Sequence, residues 1–358
     1  MKLVIIAGGG TAGHINPGIS VAQALQTLSS QIKVEFVGTK LGMESELVPA
    51  KSFKIYFIRS SKINNASFFA KIIGLCFLVV GFFESVFLIL KHKPSYVLGV
   101  GGYASVPMVL ASALLGRKTA IWEPNAHPGL ANQFLSFFVK TAFLVFQKAS
   151  KTIRSSQIHV LGMPIRNELE TTEFPFEVTS QKLKVLHYGG SQGARTIGKA
   201  LCSLILSKAS WLDECEFVHQ TGKIDLNFFS QEYKNASFKV EVVDYIKDMA
   251  AVYRWADVVI ARAGASTLAE LAKAGKPCIL IPLPLADGHQ IANAKNLAQK
   301  KAAVLILQKD LSAETLGKEL KELKENVEKR KYLHANIQQF HSPRAAQKIA
   351  QQILKELT

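Results

Sequence analysis

The feature that most constrains this chain is a unit that occurs twice: a short apolar strand, a glycine-rich loop, then a helical pattern. Near the start, residues 2–7 are apolar and β-branched. Gly8-Gly9-Gly10-Thr11-Ala12-Gly13-His14 follows, and a helical pattern runs from 17 to 28. Midway, residues 184–188 lead into Gly189-Gly190-Ser191-Gln192-Gly193-Ala194-Arg195 and a helical pattern to 206. Pro17 suits an opening helical turn, where a missing N–H costs nothing. Short apolar strands alternate with helical patterns through both halves, the signature of an α/β chain. The expected fold is therefore two Rossmann-like, doubly wound parallel-sheet domains facing a central cleft, with ligand loops at the strand C-termini. The 358 residues suit two domains. Helix is disfavoured before proline, which puts the seam at Gly162-Met163-Pro164. That divides the chain into 1–163 and 164–342. The last helical pattern, 343–358, follows His341-Ser342-Pro343 and is expected to pack back on the first domain.

Apolar residues at 48% and charged residues at 20% exclude disordered and collagen-like classes. The cysteines at 76, 202, 215 and 278 form no CxxC and no Cys/His cluster, so neither a zinc site nor a disulfide framework is expected. The five-residue apolar run that opens the chain stops at glycines and is too short for a secretory core, so it reads as a strand.

A net charge of +16 suits a polyanionic partner: nucleic acid, an anionic bilayer or a phosphorylated substrate. Residues 72–90 carry Glu84 as their only charge and are flanked by Lys62, Lys71, Lys91 and Lys93. Phenylalanines stand at 68, 69, 77, 82, 83 and 87. Strand-like runs lie on both sides, and a spanning helix would split one sheet across a membrane. Gly74, Gly81 and Ser85 form one narrow stripe of small residues, suited to close approach to a sheet with Phe and Leu outward. The favoured reading is an interfacial helix on an anionic surface; a buried core helix and a true span are the alternatives. The basic residues flank apolar sequence without a recognition motif, so nucleic acid is not an expected partner.

Helix N-termini present unpaired N–H groups and partial positive charge, so a glycine loop feeding a helix is a candidate phosphate cradle. There are three: 8–14, 189–195, and Arg262-Ala263-Gly264-Ala265-Ser266-Thr267-Leu268-Ala269-Glu270. The first fits GxGxxG, but the acid that a dinucleotide site wants about 20 residues on is missing. In the second, Ser191 adds a hydroxyl; a tight turn is the alternative. In the third, Thr267 and Glu270 fit a capping box. Equally, the loop amides and Thr267 suit a phosphate, with Glu270 accepting from a ribose diol. No Asp-x-Asp occurs, so a leaving diphosphate is expected to rely on helix N-termini, with Arg166 or Arg262, and no metal or cofactor is expected. Together these features favour transfer from a nucleotide-activated donor.

The glycine loops, together with Asn16-Pro17-Gly18, Gly101-Gly102-Tyr103-Ala104-Ser105, Asp287-Gly288-His289-Gln290 and Asn293-Ala294, resemble in order the motifs of the MurG family. These bacterial transferases add N-acetylglucosamine to undecaprenyl-linked muramyl-pentapeptide, completing lipid II. The resemblance covers nearly the whole chain. It implies a GT-B fold, UDP-N-acetylglucosamine held mainly by the second domain, and a lipid-linked acceptor and anionic membrane surface at the first. It also implies a peripheral location on the cytoplasmic face of the inner membrane. Carried residue by residue, it implies that Ile246 reads uracil through its backbone and Glu270 holds the ribose. Ser191 with Ala265, Ser266, Thr267, Leu268 and Ala269 would take the diphosphate side. Gln290 would meet the sugar, Asn125 with Thr11, Ala12 and Gly13 would close from the first domain, and Arg166 would lie beside the nucleotide. Gly101, Gly102 and Tyr103 would serve the acceptor, and Lys71, Phe77, Phe82, Phe83 and Phe87 the membrane. The chain departs from the family pattern at Trp122-Glu123-Pro124-Asn125, where His-Glu-Gln-Asn is expected, and at His289, where a glutamine is expected.

The implied chemistry is inversion by one in-line displacement, which needs a base for the acceptor hydroxyl. His14 is the candidate, with a purely structural imidazole as the alternative; Asp287 and Glu123 are weaker candidates. Another GT-B transferase with a different acceptor, and a non-catalytic, membrane-associated nucleotide sensor, are the competing functions.

Overall fold

A computed structural model describes residues 1–10, 12–60, 68–178, 182–190, 193–284 and 288–358, with the side chains of Ala12 and of residues 68–72 outside the description. The chain divides into two compact units, Met1–Arg166 with Ser342–Thr358, and Asn167–His341.

The first unit holds strands β1 (Lys2–Ala7), β2 (Ile32–Gly38), β3 (Lys54–Phe57), β4 (Tyr96–Gly99), β5 (Lys118–Glu123), β6 (Thr141–Leu144) and β7 (Gln157–Val160). They form one sheet in the order β3-β2-β1-β4-β5-β6-β7, every pair parallel. Its helices are α1 (Ala12–Leu28), α2 (Glu44–Ala50), α3 (Phe68–His92), α4 (Ser105–Leu114) and α5 (Leu130–Leu135). A parallel sheet covered on both faces needs apolar side chains pointing both ways. Val4, Ile5, Ile6 and Ala7 of β1 and Tyr96, Val97 and Leu98 of β4 are accordingly all buried. The chain reverses direction across the sheet between β1 and β4. The loops after those two strands therefore diverge and leave the crevice in which such sheets bind ligands.

The second unit repeats the plan with β8 (Leu183–Tyr188), β9 (Cys215–Gln220), β10 (Val240–Val243), β11 (Val258–Ala261), β12 (Cys278–Leu280) and β13 (Val304–Leu305), ordered β10-β9-β8-β11-β12-β13 and all parallel. Helices α6 (Asn167–Thr171), α7 (Arg195–Leu206), α8 (Leu226–Glu232), α9 (Met249–Trp255), α10 (Ala265–Ala274), α11 (His289–Gln299), α12 (Ala313–Glu325) and α13 (Val327–Gln338) complete it. Here the reversal falls between β8 and β11, so the other two glycine loops also stand at a switch point. Each unit is Rossmann-like, and the architecture is GT-B.

The final helix, α14 (Ala345–Leu357), belongs to the first unit and packs on α1. It buries Ala345, Ile349, Ala350, Ile353 and Leu357. Lys2 Nζ donates to the carbonyl of Leu357 and Lys118 Nζ to that of Glu356, matching cations to the negative end of the helix. The Glu356 carboxylate accepts from Tyr96 Oη at 3.0 Å and Thr141 Oγ1 at 3.1 Å.

Helix α3 runs between two strands of the same sheet. It is the helix, among the described residues, long and apolar enough to cross a membrane by length and composition. Its small-residue stripe lies inward: Gly74, Gly81, Ser85 and Ile89 are buried, and a Cβ on Gly81 would fall 2.1 Å from the Arg59 carbonyl oxygen. The opposite face is open, with Phe83 65% and Phe87 63% exposed, so the buried-core alternative does not hold. Phe77 is also exposed. Phe82 corrects the expectation for this face: it packs partly buried against the core, because it follows Gly81 on the inward side. The side chain of Lys71 lies outside the described residues.

Candidate functional site

In the first unit the loop after β1 is not the cradle that its glycines suggest. Gly8 N donates to Val37 O at 3.0 Å, Gly9 N to Gly101 O at 3.2 Å and Gly10 N to Glu44 Oε2 at 2.8 Å, so all three amides are spent inside the protein. Helix α1 opens at Ala12, earlier than Pro17 suggested, and Pro17 lies within it, where only the Gly13 carbonyl loses its intrahelical donor. The donors at this switch point are therefore the first-turn amides of Ala12, Gly13 and His14, which have no intrahelical acceptors. Thr11 lies outside the described residues.

His14 thus sits on a helix and not in a loop. Its Nδ1 is 3.1 Å from the Val100 carbonyl oxygen. A carbonyl can only accept, so Nδ1 carries the proton and Nε2 keeps its lone pair. Burial lowers the His14 pKa, opposed by the Val100 hydrogen bond and by the negative charge of Glu44. Gly101 must be glycine: its φ is +93°, and a Cβ there would fall 2.7 Å from His14 Nδ1. Gly102, at φ +79°, faces Gly9 so closely that a Cβ would lie 2.0 Å from the Gly9 carbonyl oxygen. The Tyr103 carbonyl accepts from Ser60 Oγ at 2.7 Å. Gly101 and Gly102, after β4, therefore make one body with the loop after β1.

Glu44 escaped the sequence reading. Its carboxylate is fully buried and accepts from Gly10 N, from Thr39 N at 2.8 Å and from Thr39 Oγ1 at 2.7 Å. The only sequence signal was the spacing of Gly38, Gly42 and Glu44 just past an apolar strand.

Glu123, a weaker base candidate, proves to be the staple of its own loop. Buried at the end of β5, it accepts from Asn125 N (2.8 Å), Asn125 Nδ2 (3.1 Å), Gly129 N (3.1 Å) and Asn132 Nδ2 (2.9 Å). Burial pushes its pKa up against the pull of these donors. All four face inward, which removes Glu123 as a base and ties the Asn125 amide nitrogen to the loop.

In the second unit Gly189 N donates to Gln220 Oε1 at 3.3 Å, and Gly193 takes φ +76° with its Cα against the Thr221 carbonyl. Ser191 and Gln192 lie outside the described residues. After β11, Gly264 caps α10 without any side-chain hydrogen bond, so the capping box expected of Thr267 and Glu270 does not form. The helix begins at Ala265, which makes Thr267 its third residue and carries Glu270 a turn too far in. Leu268 N closes the first turn on Gly264 O at 3.0 Å and its side chain is buried, so Leu268 does not face a ligand. The amides of Ala265, Ser266 and Thr267 have no intrahelical acceptors.

Glu270 is buried with Oε2 3.4 Å from Tyr253 Oη, which in turn is 2.6 Å from Tyr188 Oη. Neither tyrosine was singled out from sequence. Arg262 donates Nη1 to the Ile281 carbonyl at 3.0 Å and so braces the strand ends. Gln290 opens α11 with Oε1 accepting from Ala263 N (3.3 Å) and Leu283 N (3.0 Å), which places it beside the Gly264 loop. Ile246 lies half-buried after β10, before Asp248 caps α9 by accepting from Ala251 N at 2.9 Å. Arg166 closes the first unit behind buried Met163 and Ile165. Asp287 is outside the described residues.

The profile of the glycosyltransferase family 28 N-terminal domain matches residues 4–144, and that of its C-terminal domain residues 185–353. A Bdellovibrio bacteriovorus protein named UDP-N-acetylglucosamine--N-acetylmuramyl-(pentapeptide) pyrophosphoryl-undecaprenol N-acetylglucosamine transferase is 44% identical over 354 residues, 99% of each chain. A Myxococcus xanthus protein of the same name is 38% identical over 98% of this chain and 92% of its own. The chain is a member of the MurG family. The crystal structure of Acinetobacter baumannii MurG superposes with a TM-score of 0.78 at 30% identity, covering 99% of this chain and 100% of that one. The Neisseria meningitidis UDP-GlcNAc 2-epimerase, at 14% identity and a TM-score of 0.68, shares the fold.

One further surface of this MurG-family chain was invisible in sequence. Leu114 and Leu115 at the end of α4, and Leu130, Phe134, Phe137 and Phe138 in and after α5, are exposed. Helices α3, α4 and α5 share one core, so their outer faces belong to one side of the sheet. Beside this patch lies a cavity of about 890 Å³ whose lining includes Arg117, Lys140, His159 and Lys355. Phe134 lies in the short helix α5 and Phe138 just after it, where no sequence pattern sets either apart.

Proposed function

We propose that this chain moves N-acetylglucosamine from UDP-N-acetylglucosamine to the 4-hydroxyl of the muramyl-pentapeptide carried on undecaprenyl diphosphate, with inversion at the anomeric carbon. The observation that carries the reading is the collinear match, over 99% of both chains, to the Bdellovibrio transferase of that name. The first unit takes the acceptor and the second the donor.

In the second unit the amides of Ala265, Ser266 and Thr267, at the positive end of α10, receive the diphosphate. The Glu270 carboxylate, oriented by Tyr253, accepts from the ribose hydroxyls, and Ile246 offers backbone to the uracil. Gln290, with Oε1 holding the Gly264 loop, presents its amide nitrogen to the sugar. As the acceptor oxygen bonds to the anomeric carbon and the bond to the diphosphate oxygen breaks, His14 Nε2 takes the hydroxyl proton and UDP leaves as the anion. The Val100 carbonyl holds the imidazole in the tautomer that leaves Nε2 basic, and lowering by burial keeps it unprotonated near neutrality. The first-turn amides of α1 stand ready for the acceptor's own diphosphate.

The open apolar faces of α3 and α5, flanked by Lys91, Lys93, Arg117 and Lys140, support a peripheral seat on an anionic cytoplasmic membrane surface, where a polyprenyl acceptor resides.

The test is transfer of labelled N-acetylglucosamine to a muramyl-pentapeptide lipid. We expect labelled disaccharide lipid and stoichiometric UDP release. His14→Ala should lower kcat by about 10²–10⁴-fold with donor Kd unchanged. Labelled product on a different acceptor, or wild-type kcat in the variant, would sink the reaction or the base respectively.

A further inference from the structure

We infer that Glu44 is a positioning residue for the transfer reaction: its buried carboxylate turns the loop after β1 inward and seats His14 for proton removal. This rests on the reading of His14 as the base.

The geometry is specific. Three donors from two segments converge on one carboxylate: Gly10 N on Oε2, and Thr39 N and Oγ1 on Oε1. The chain makes room by having glycine wherever a side chain would collide with it. A Cβ on Gly9 would lie 2.0 Å from Glu44 Oε1, one on Gly42 2.0 Å from Oε2, and one on Gly38 2.5 Å from the Glu44 Cγ. A fully buried carboxylate is costly unless its lone pairs are met by donors, and here they are. With its donors in place, the carboxylate fixes where the Gly10 amide points. Gly9 in turn meets Gly101 by the hydrogen bond Gly9 N to Gly101 O, and Gly101 is the residue whose missing Cβ admits the His14 ring. A continuous chain of contacts thus runs from Glu44 through Gly10, Gly9 and Gly101 to the imidazole.

The second action is electrostatic. Glu44 is the charged group acting on His14; Tyr103, after Gly102, has its pKa raised by burial and stays neutral, and Lys40, beside Thr39, is exposed. Proton transfer to Nε2 creates an imidazolium within reach of a fixed negative charge, which favours the charged form. Removing that charge lowers the His14 pKa, so the acid limb of the rate profile must move to lower pH while a weaker base slows the plateau.

Glu44→Gln keeps the volume but points an NH₂ at a converging donor. We expect kcat at least about tenfold lower, the acid limb displaced to lower pH, and donor Kd by calorimetry unchanged. A merely structural role would lower the folded fraction, leaving the acid limb and kcat per folded molecule alone; that result overturns the inference. If Glu44→Gln does not fold, Thr39→Val carries the test, since it keeps the charge and deletes one hydrogen bond. There kcat falls several-fold with donor Kd unchanged, and Thr39→Ser restores it; wild-type kcat in Thr39→Val is the overturning outcome. If His14→Ala keeps the wild-type acid limb, the base reading has failed, whereas an acid limb that His14 sets and Glu44→Gln does not move indicts Glu44 alone.

Discussion

Glu270 shows how a single residue can satisfy two sequence patterns and obey only one. The spacing Thr267 to Glu270 matches a capping box, yet capping depends on where the helix begins, and α10 begins at Ala265. Relieved of the helix end, the carboxylate is held by Tyr253 of α9, which in turn meets Tyr188 at the end of β8. Glu270→Ala should therefore raise the donor KM roughly tenfold or more, the scale of hydrogen bonds to a charged group. Steady-state kinetics in UDP-N-acetylglucosamine measure it, and an unchanged KM would return Glu270 to a structural role. His14 was legible because it ends a glycine-rich loop pattern, residues 8–14. Glu44 was not, because its partners Gly10 and Thr39 reach it through the fold and its own surroundings, Met43 and Ser45, carry no signature. Glu123 misled for the same reason: a carboxylate beside a candidate site reads as chemistry until its four donors are seen to face inward.

At the scale of elements, helix α3 was legible as to existence and to its two faces, since Gly74, Gly81 and Ser85 recur at helical spacing and a sheet demands close approach on that stripe. Phe82 was the exception, one residue past Gly81 and turned in. Replacing Phe83 and Phe87 by Ser should lower binding to vesicles containing anionic phospholipid several-fold, while activity on a short-chain acceptor stays near wild type. Both side chains are more than half exposed, so the fold loses little. Co-sedimentation and parallel assays on long- and short-chain acceptors check this; equal loss on both would make the face part of the catalytic structure. The α5 patch could not be read in advance, because Phe134 lies in a six-residue helix too short for periodicity to declare a face, and Phe138 lies beyond its end.

At the scale of the molecule, the chain leaves its first unit at Arg166 and returns at Ser342, so the last helix stabilises the unit that was made first. Ending the chain after residue 342 would strip α14 from α1, expose the side chains around Ile349 and Ile353, and leave Lys2, Lys118, Tyr96 and Thr141 without Glu356 or the terminal carbonyls. We expect the melting temperature to drop by several degrees or more and vesicle binding to fall with the first unit, while UDP binding survives in the second. Calorimetric melting with UDP titration tests this, and an undiminished first transition would make α14 dispensable. The sequence by itself determined the class of fold, the number of sheets and the order of the glycine loops, because alternation of apolar strands with helical periods is local and a parallel sheet leaves few ways to connect it. Only the tertiary structure decided which loop amides remain for a ligand, since a hydrogen-bond donor is available or spent according to acceptors dozens of residues away. Gly10 and Glu44 are that case: a phosphate cradle by pattern, and an internal clasp by contact.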